Sequence, residues 1–154
     1  MRYVHTAAQA MLALLFTLMV IVGGMQVFNR FLLNSSLSWS EELQKFSFIW
    51  LVFFAIPVAY QRGSHLCVDA LVERLPLRLR KGLAVAIDAL WLALGLAFVL
   101  LTCRLMGVAR FQQSAGLGIS MAWAYSGMLA GGAYLALCAA VKLLSPRPAQ
   151  ERAP

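Results

Sequence analysis

The sequence predicts an all-α integral membrane protein with four transmembrane helices, and three observations carry that prediction. Apolar residues make up 62% of the 154 and charged residues only 12%, against roughly 45–50% and about 25% in soluble domains. The apolar residues fall in four long runs, and the basic residues gather in the short stretches between them. Lipid offers the backbone no hydrogen-bond partner, so apolar runs of sufficient length must be helices. No internal repeat or linker divides the chain, which reads as one four-helix membrane domain over 1–154 with short interfacial helices in its connections.

A span needs about 20 residues to cross roughly 30 Å of hydrocarbon. The first covers about 7–28, with Gln9 and Gln26 near its ends. Met1 and Arg2 precede it in the manner of a signal peptide, but the run is long for such a segment and no A-x-A site follows, so a retained helix is expected. The stretch Asn29 to Leu37 is apolar enough to lie along the membrane interface.

The second span covers about 39–61. Ser38-Trp39-Ser40-Glu41 fits a capping box, with Ser38 as cap and Glu41 reaching back. Glu41 and Glu42 then lie in the first turn, where the helix dipole favours acids. Pro57 removes a backbone donor and should kink the helix. In the following loop Val68, Leu71, Val72 and Leu75 are spaced for one apolar face, which suits a surface helix or a docking segment.

The third span covers about 82–103, with Pro76 placed to start its helix. An irregular connection with Gly116 and Gly118 leads to the fourth, about 121–144, which ends before Pro146. Trp123 and Tyr125 near its start suit an interfacial aromatic belt.

The basic residues set the orientation. Nine (Arg2, Arg62, Arg74, Arg78, Arg80, Lys81, Lys142, Arg147 and Arg152) fall on the side of the termini and central loop, and four (Arg30, Lys45, Arg104 and Arg110) on the other. The positive-inside rule places both termini in the cytoplasm. The net charge of +7 therefore answers to a membrane surface, since no basic stripe with interleaved aromatics exists for nucleic acid.

Equipment for chemistry is sparse. Cys67, Cys103 and Cys138 lie far apart with no C-x-x-C, which gives neither a disulfide framework nor a metal site. No nucleophile–base pair, phosphate loop or haem-type His pair is present, so no catalytic, cofactor or metal residues are assigned and the chain is not expected to be an enzyme. Asp88 is the one charged residue inside the third span. A carboxylate there is either a functional ionisable group or a partner in a structural pair, shallow enough to reach loop arginines. Adjacent helical residues point apart, so Glu41 and Glu42 do not form one acid–base site. They cap the helix or contact another subunit. Gly127 and Gly131 form a G-x-x-x-G that lets a helix approach the fourth span closely, whether within the chain or from a partner. His65 has no second His or Cys placed to complete a metal site. With Arg62 and Asp69 it suggests an ordered loop.

The order of these features resembles a known family. Arg30-Phe-Leu-Leu-Asn34-Ser-Ser-Leu-Ser38-Trp39-Ser-Glu41-Glu42-Leu43, an aromatic span containing Trp50, then Arg62-Gly63-Ser-His65-Leu-Cys-Val68-Asp69 and Leu75-Pro76 are similar to the small membrane subunit of tripartite ATP-independent periplasmic (TRAP) transporters, the DctQ-like family. Ile119-Ser-Met-Ala-Trp123-Ala-Tyr125 also looks like the start of that family's last helix, while Pro57 stands where small residues are expected. The resemblance implies a multi-pass protein of the bacterial inner membrane. It implies a scaffold subunit of a sodium-coupled organic-acid importer, bracing a large multi-span subunit that carries the substrate and ion sites and is served by a periplasmic binding protein. By that analogy Arg30, Trp39, Glu41 and Glu42 lie near the large subunit, and Arg62, His65 and Asp69 order the cytoplasmic loop. The rival is an autonomous small homo-oligomeric transporter or channel using Asp88.

Overall fold

The computed structural model describes residues 2–35, 37–61 and 76–144. Four helices fill them: α1 (Arg2–Leu32), α2 (Ser38–Gln61), α3 (Leu77–Ala109) and α4 (Ala122–Leu144). Each holds a segment long and apolar enough to cross a membrane: His5–Leu32, Ser38–Gln61, Gly82–Ala109 and Ala122–Leu144. The surface helix expected after Gln61 lies outside the described residues.

Two helices outrun their expected spans. α1 continues through Asn29 to Leu32, where the sequence suggested a connection, because nothing before Asn34 opposes helix. Asn34 then takes φ 52°, a left-handed conformation that Asn tolerates, and the Ser35 N–H donates to the Asn29 carbonyl at 3.2 Å. That bond is the closing contact of a helix C-terminus. α3 likewise runs on past Cys103 to Ala109, giving 33 residues or about 50 Å of helix at 1.5 Å per residue. The charged Arg104 marks the end of the apolar run, not the end of the helix.

In space the order is α1–α2–α4–α3. α1 packs on α2, α2 on α4, and α4 on α3 in the most extensive of the three contacts. α4 is thus the central helix, although it is last in sequence. Its small residues explain why. A Cβ on Gly127 would stand 2.7 Å from the Trp50 ring, one on Gly131 2.5 Å from the Phe53 carbonyl oxygen, and one on Gly132 2.8 Å from Phe98 Cβ. From the facing side, a Cβ on Gly95 of α3 would meet the Ala136 backbone nitrogen at 2.7 Å. Glycines on opposite sides of α4 therefore let both neighbours approach to backbone contact, which is how helices gain packing where no hydrophobic effect drives them together.

Pro57 sits inside α2 and is buried. Lacking an N–H, it leaves the carbonyl of Phe53, four residues earlier, without its helical donor. That freed carbonyl is the one Gly131 faces. Aromatics close the remaining seams: Trp50 stacks on Phe54 with ring centroids 5.9 Å apart, and Phe53 meets Phe98 edge to face at 5.1 Å.

Candidate functional site

The polar side chains that matter lie at the two ends of this bundle. At the end where α2 begins, Gln112 to Met121 forms a small hairpin between α3 and α4. Gln113 and Ser120 pair as an antiparallel bridge, the Ser114 N–H donates to the Ile119 carbonyl at 2.9 Å, and Gly118 turns the chain at φ +66°. Most side chains are strained at that φ, which favours glycine there.

Glu42 plugs this hairpin. Its Oε2 accepts hydrogen bonds from the Ser114 hydroxyl, the Gly116 N–H at 2.8 Å and the Leu117 N–H at 2.9 Å. Successive N–H groups converging on one carboxylate oxygen form an anion nest. Gly116 is small because a Cβ there would stand 3.0 Å from both Glu42 Oε2 and the Ser38 carbonyl. Glu41, the next residue back, turns to the other neighbour. Its Oε1 accepts from Gln26 Nε2 of α1 at 3.3 Å. The adjacent acids therefore serve two different contacts, one to α1 and one to the α3–α4 hairpin.

This geometry revises the capping box. α2 starts at Ser38 itself, so Ser38 is one residue too late to be its cap, and Glu41 bonds sideways to α1 instead of reaching back. The first turn is held by Ser40, whose N–H and hydroxyl donate to the Leu37 carbonyl at 3.1 and 2.7 Å.

Glu42→Ala should free the hairpin while sparing the helices. It strips two backbone N–H groups and a hydroxyl of their acceptor. Hydrogen exchange on the protein in nanodiscs should show faster exchange at Gly116 and Leu117, with α3 and α4 unchanged. Unaltered protection at those two amides would refute the nest.

At the opposite end stands Asp88. It is 3% exposed, and Tyr60 of α2 donates its hydroxyl to Asp88 Oδ1 at 2.8 Å. Lys142 of α4 places Nζ 3.6 Å from the same oxygen and 4.4 Å from the centre of the Tyr60 ring. The ring in turn packs on Trp91 at 5.5 Å. Three helices meet at one carboxylate. Lys142, from the last turn of α4, supplies a cation to Asp88, while the side chains of Arg78, Arg80 and Lys81, which the sequence offered as partners, lie outside the described residues. Beside this cluster Gln61 Nε2 donates to the Cys138 thiol, tying the ends of α2 and α4.

The remaining candidates separate. Gly127 and Gly131 are buried against α2 inside this chain, so they are not part of a surface open to a partner. Arg30 is exposed in the last turn of α1, and Trp39 is half-buried in the first turn of α2. Arg62, His65 and Asp69 lie outside the described residues. Among the described residues no group of three or more His, Cys, Asp or Glu is placed to hold a metal ion.

Comparison with known proteins agrees with this architecture. Residues 18–148 match the family described as "Tripartite ATP-independent periplasmic transporters, DctQ component". The chain is 38% identical over 56 residues to the isethionate TRAP transporter permease protein DctMQ of Oleidesulfovibrio alaskensis, covering 36% of this chain and 9% of that one. It is 28% identical over 111 residues to the sialic acid TRAP transporter small permease protein SiaQ of Vibrio cholerae, covering 71% and 64%. It is 29% identical over 103 residues to the sialic acid TRAP transporter permease protein SiaT of Haemophilus influenzae, covering 67% and 17%. In all three the matched stretch spans less than two thirds of the relative's length.

Proposed function

Because this chain belongs to the DctQ component family of tripartite ATP-independent periplasmic transporters, we propose that it is the small membrane subunit that braces a larger TRAP permease. It is a multi-pass protein of the bacterial inner membrane and a transporter component, not an enzyme. The larger subunit holds the substrate and sodium sites, and a periplasmic binding protein supplies an organic acid. Two relatives named as permease proteins are far longer than the stretch they share with this chain, which supports a working unit larger than four helices.

The observation that carries the bracing role is the way the polar groups inside the bundle are used. Asp88, the one charged residue between Gly82 and Cys103, is tied to Lys142 and Tyr60. A group cycling ions through the membrane has to exchange partners. This one is held by two helices at once. The glycines lock α4 to its neighbours, and Glu41 and Glu42 lock the other end. Such a bundle is cross-linked at both ends and along its middle, the build of a static frame. A carboxylate held this way supports the frame over an autonomous transporter built on Asp88.

In the membrane, the Asp88 end faces the cytoplasm and the Glu42 hairpin the periplasm, following the nine-to-four division of basic residues. Arg30, Trp39 and the exposed face of α1 are the surface offered to the larger subunit, while Arg62, His65 and Asp69 order the cytoplasmic loop.

Purification from native membranes in mild detergent, with a tag at the C-terminus, tests the reading. A large multi-span permease is expected in equal amount. Recovery of this chain with copies of itself alone would overturn it.

A further inference from the structure

A groove of about 220 Å³ opens on the bundle surface at the hairpin end, lined by Leu15 of α1, Phe46, Ser47 and Trp50 of α2, Ile119 of the hairpin and Trp123 of α4. Five of the six are apolar and none is charged. The sixth, Ser47, is only 6% exposed, and its hydroxyl makes no hydrogen bond to a described residue. Helical serines ordinarily bond back to a carbonyl one turn earlier. A donor that opens onto an otherwise apolar groove suits an acceptor from outside the chain.

The position of the groove says what brings that acceptor. Irregular backbone exposed to lipid does not occur within hydrocarbon. Ala115 and Gly118 of the hairpin are exposed, so the hairpin marks the hydrocarbon boundary or lies beyond it. Ile119 joins that hairpin to the groove. Trp123, one residue into α4 and 68% exposed, stands where interfacial tryptophans stand. The Trp50 indole N–H, which would otherwise be a second donor, is already bonded to the Trp123 carbonyl at 3.2 Å. Ser47 is therefore level with the zone where glycerol ester carbonyls sit above their acyl chains. The uncharged lining matches a neutral chain and would leave a charged partner side chain unpaired. The volume falls below the roughly 300–1,000 Å³ of ordinary small-molecule sites, which suits one chain segment.

We infer that this groove seats one acyl chain of a glycerophospholipid, with the Ser47 hydroxyl donating to that chain's ester carbonyl. A lipid held there fills the seam between α1 and α4, which otherwise touch through α2. The inference rests on membrane placement and the groove, and stands apart from the bracing role.

The test uses the full chain, with whatever co-purifies with it, in nanodiscs of phosphatidylethanolamine and phosphatidylglycerol. A fraction of the phosphatidylethanolamine carries a diazirine on the upper part of one acyl chain. After illumination and digestion, labelling of the Phe46–Trp50 and Ile119–Trp123 segments should exceed that of Phe16 and Val20, on the exposed face of α1, several-fold. Ser47→Leu, which fills the groove, should bring it down to the α1 level. Ile119→Trp, which fills it from the hairpin, gives the same readout should Ser47→Leu fail to fold. Ser47→Ala, which removes only the hydroxyl, should lower labelling part of the way. Groove labelling equal to that of α1 would mean bulk lipid only and would overturn the inference. So would labelling that appears only after a co-purifying permease is stripped away, since a partner then occupies the groove.

Discussion

Gly131→Val should produce the largest packing defect of any single substitution in the bundle. A Cβ at this position stands 2.5 Å from the Phe53 carbonyl oxygen and 2.7 Å from both the Phe53 carbonyl carbon and its Cβ. Two of those atoms are backbone, and the third is rooted on it, so no side-chain rotation relieves the clash. α2 would have to move bodily away from α4. Moving it also pulls Trp50 off Gly127 and Phe53 off Phe98, because those contacts depend on the same spacing. Overpacking a dense core costs about 1–3 kcal/mol and sometimes more, and the upper end applies where backbone must shift. Thermal unfolding in mild detergent should show a clear drop in midpoint, with part of the protein aggregating on size exclusion. Gly24→Ala and Gly107→Ala are the controls. Nothing lies within 4 Å of a Cβ at either site, and removing a helical glycine there should be neutral or stabilising by up to about 1 kcal/mol. Equal stability for Gly131→Val and the controls would show that α2 and α4 are not in backbone contact.

The glycines also mark where the sequence was legible. Four spans could be read because each is a long apolar run with charges at its margins, and a membrane leaves such runs one solution. Helix ends were harder. The residues after the runs, Asn29 to Leu32 and Arg104 to Ala109, tolerate helix, so polarity located the bilayer edge but not the helix terminus. Asn34 was a usable stop signal, since Asn is one of the few residues at ease with φ 52°. Gly127 and Gly131 announced a close approach, yet periodicity is silent about which helix approaches. The pairing of Pro57 with Gly131 held that information. A proline in α2 frees a carbonyl four residues back, and a glycine elsewhere is what can face it.

The polar ties were less legible still, because each joins residues distant in sequence. Glu41 and Glu42 are identical in type and adjacent, but their partners are a glutamine on α1 and a hairpin whose shape depends on Gly116 and Gly118. Lys142 looked like part of a basic tail. Its role follows only from α4 lying beside α3, an order in space that no local pattern encodes.

That tie yields the second large effect. Lys142→Met should destabilise the protein more than Asp88→Asn does. Removing the ammonium takes one cation from a carboxylate that is 3% exposed and faces the Tyr60 hydroxyl. Breaking a fully buried pair costs about 3–5 kcal/mol. The Lys142 side chain is 43% exposed, so water already screens part of the attraction and the cost should fall to about half that range. Asp88→Asn removes the buried charge itself. The amide oxygen still accepts from Tyr60, and Lys142 can turn to water. The double variant should recover much of what Lys142→Met loses, since neither charge then remains, and the cycle isolates the coupling of the pair. The same variants separate a frame from a carrier. If Asp88 only ties α2, α3 and α4 together, Asp88→Asn leaves transport by the assembled permease near normal, and any loss follows the loss of folded complex. If Asp88 carries an ion or proton, transport stops in a complex that remains intact and stable, and the static-frame role falls with it.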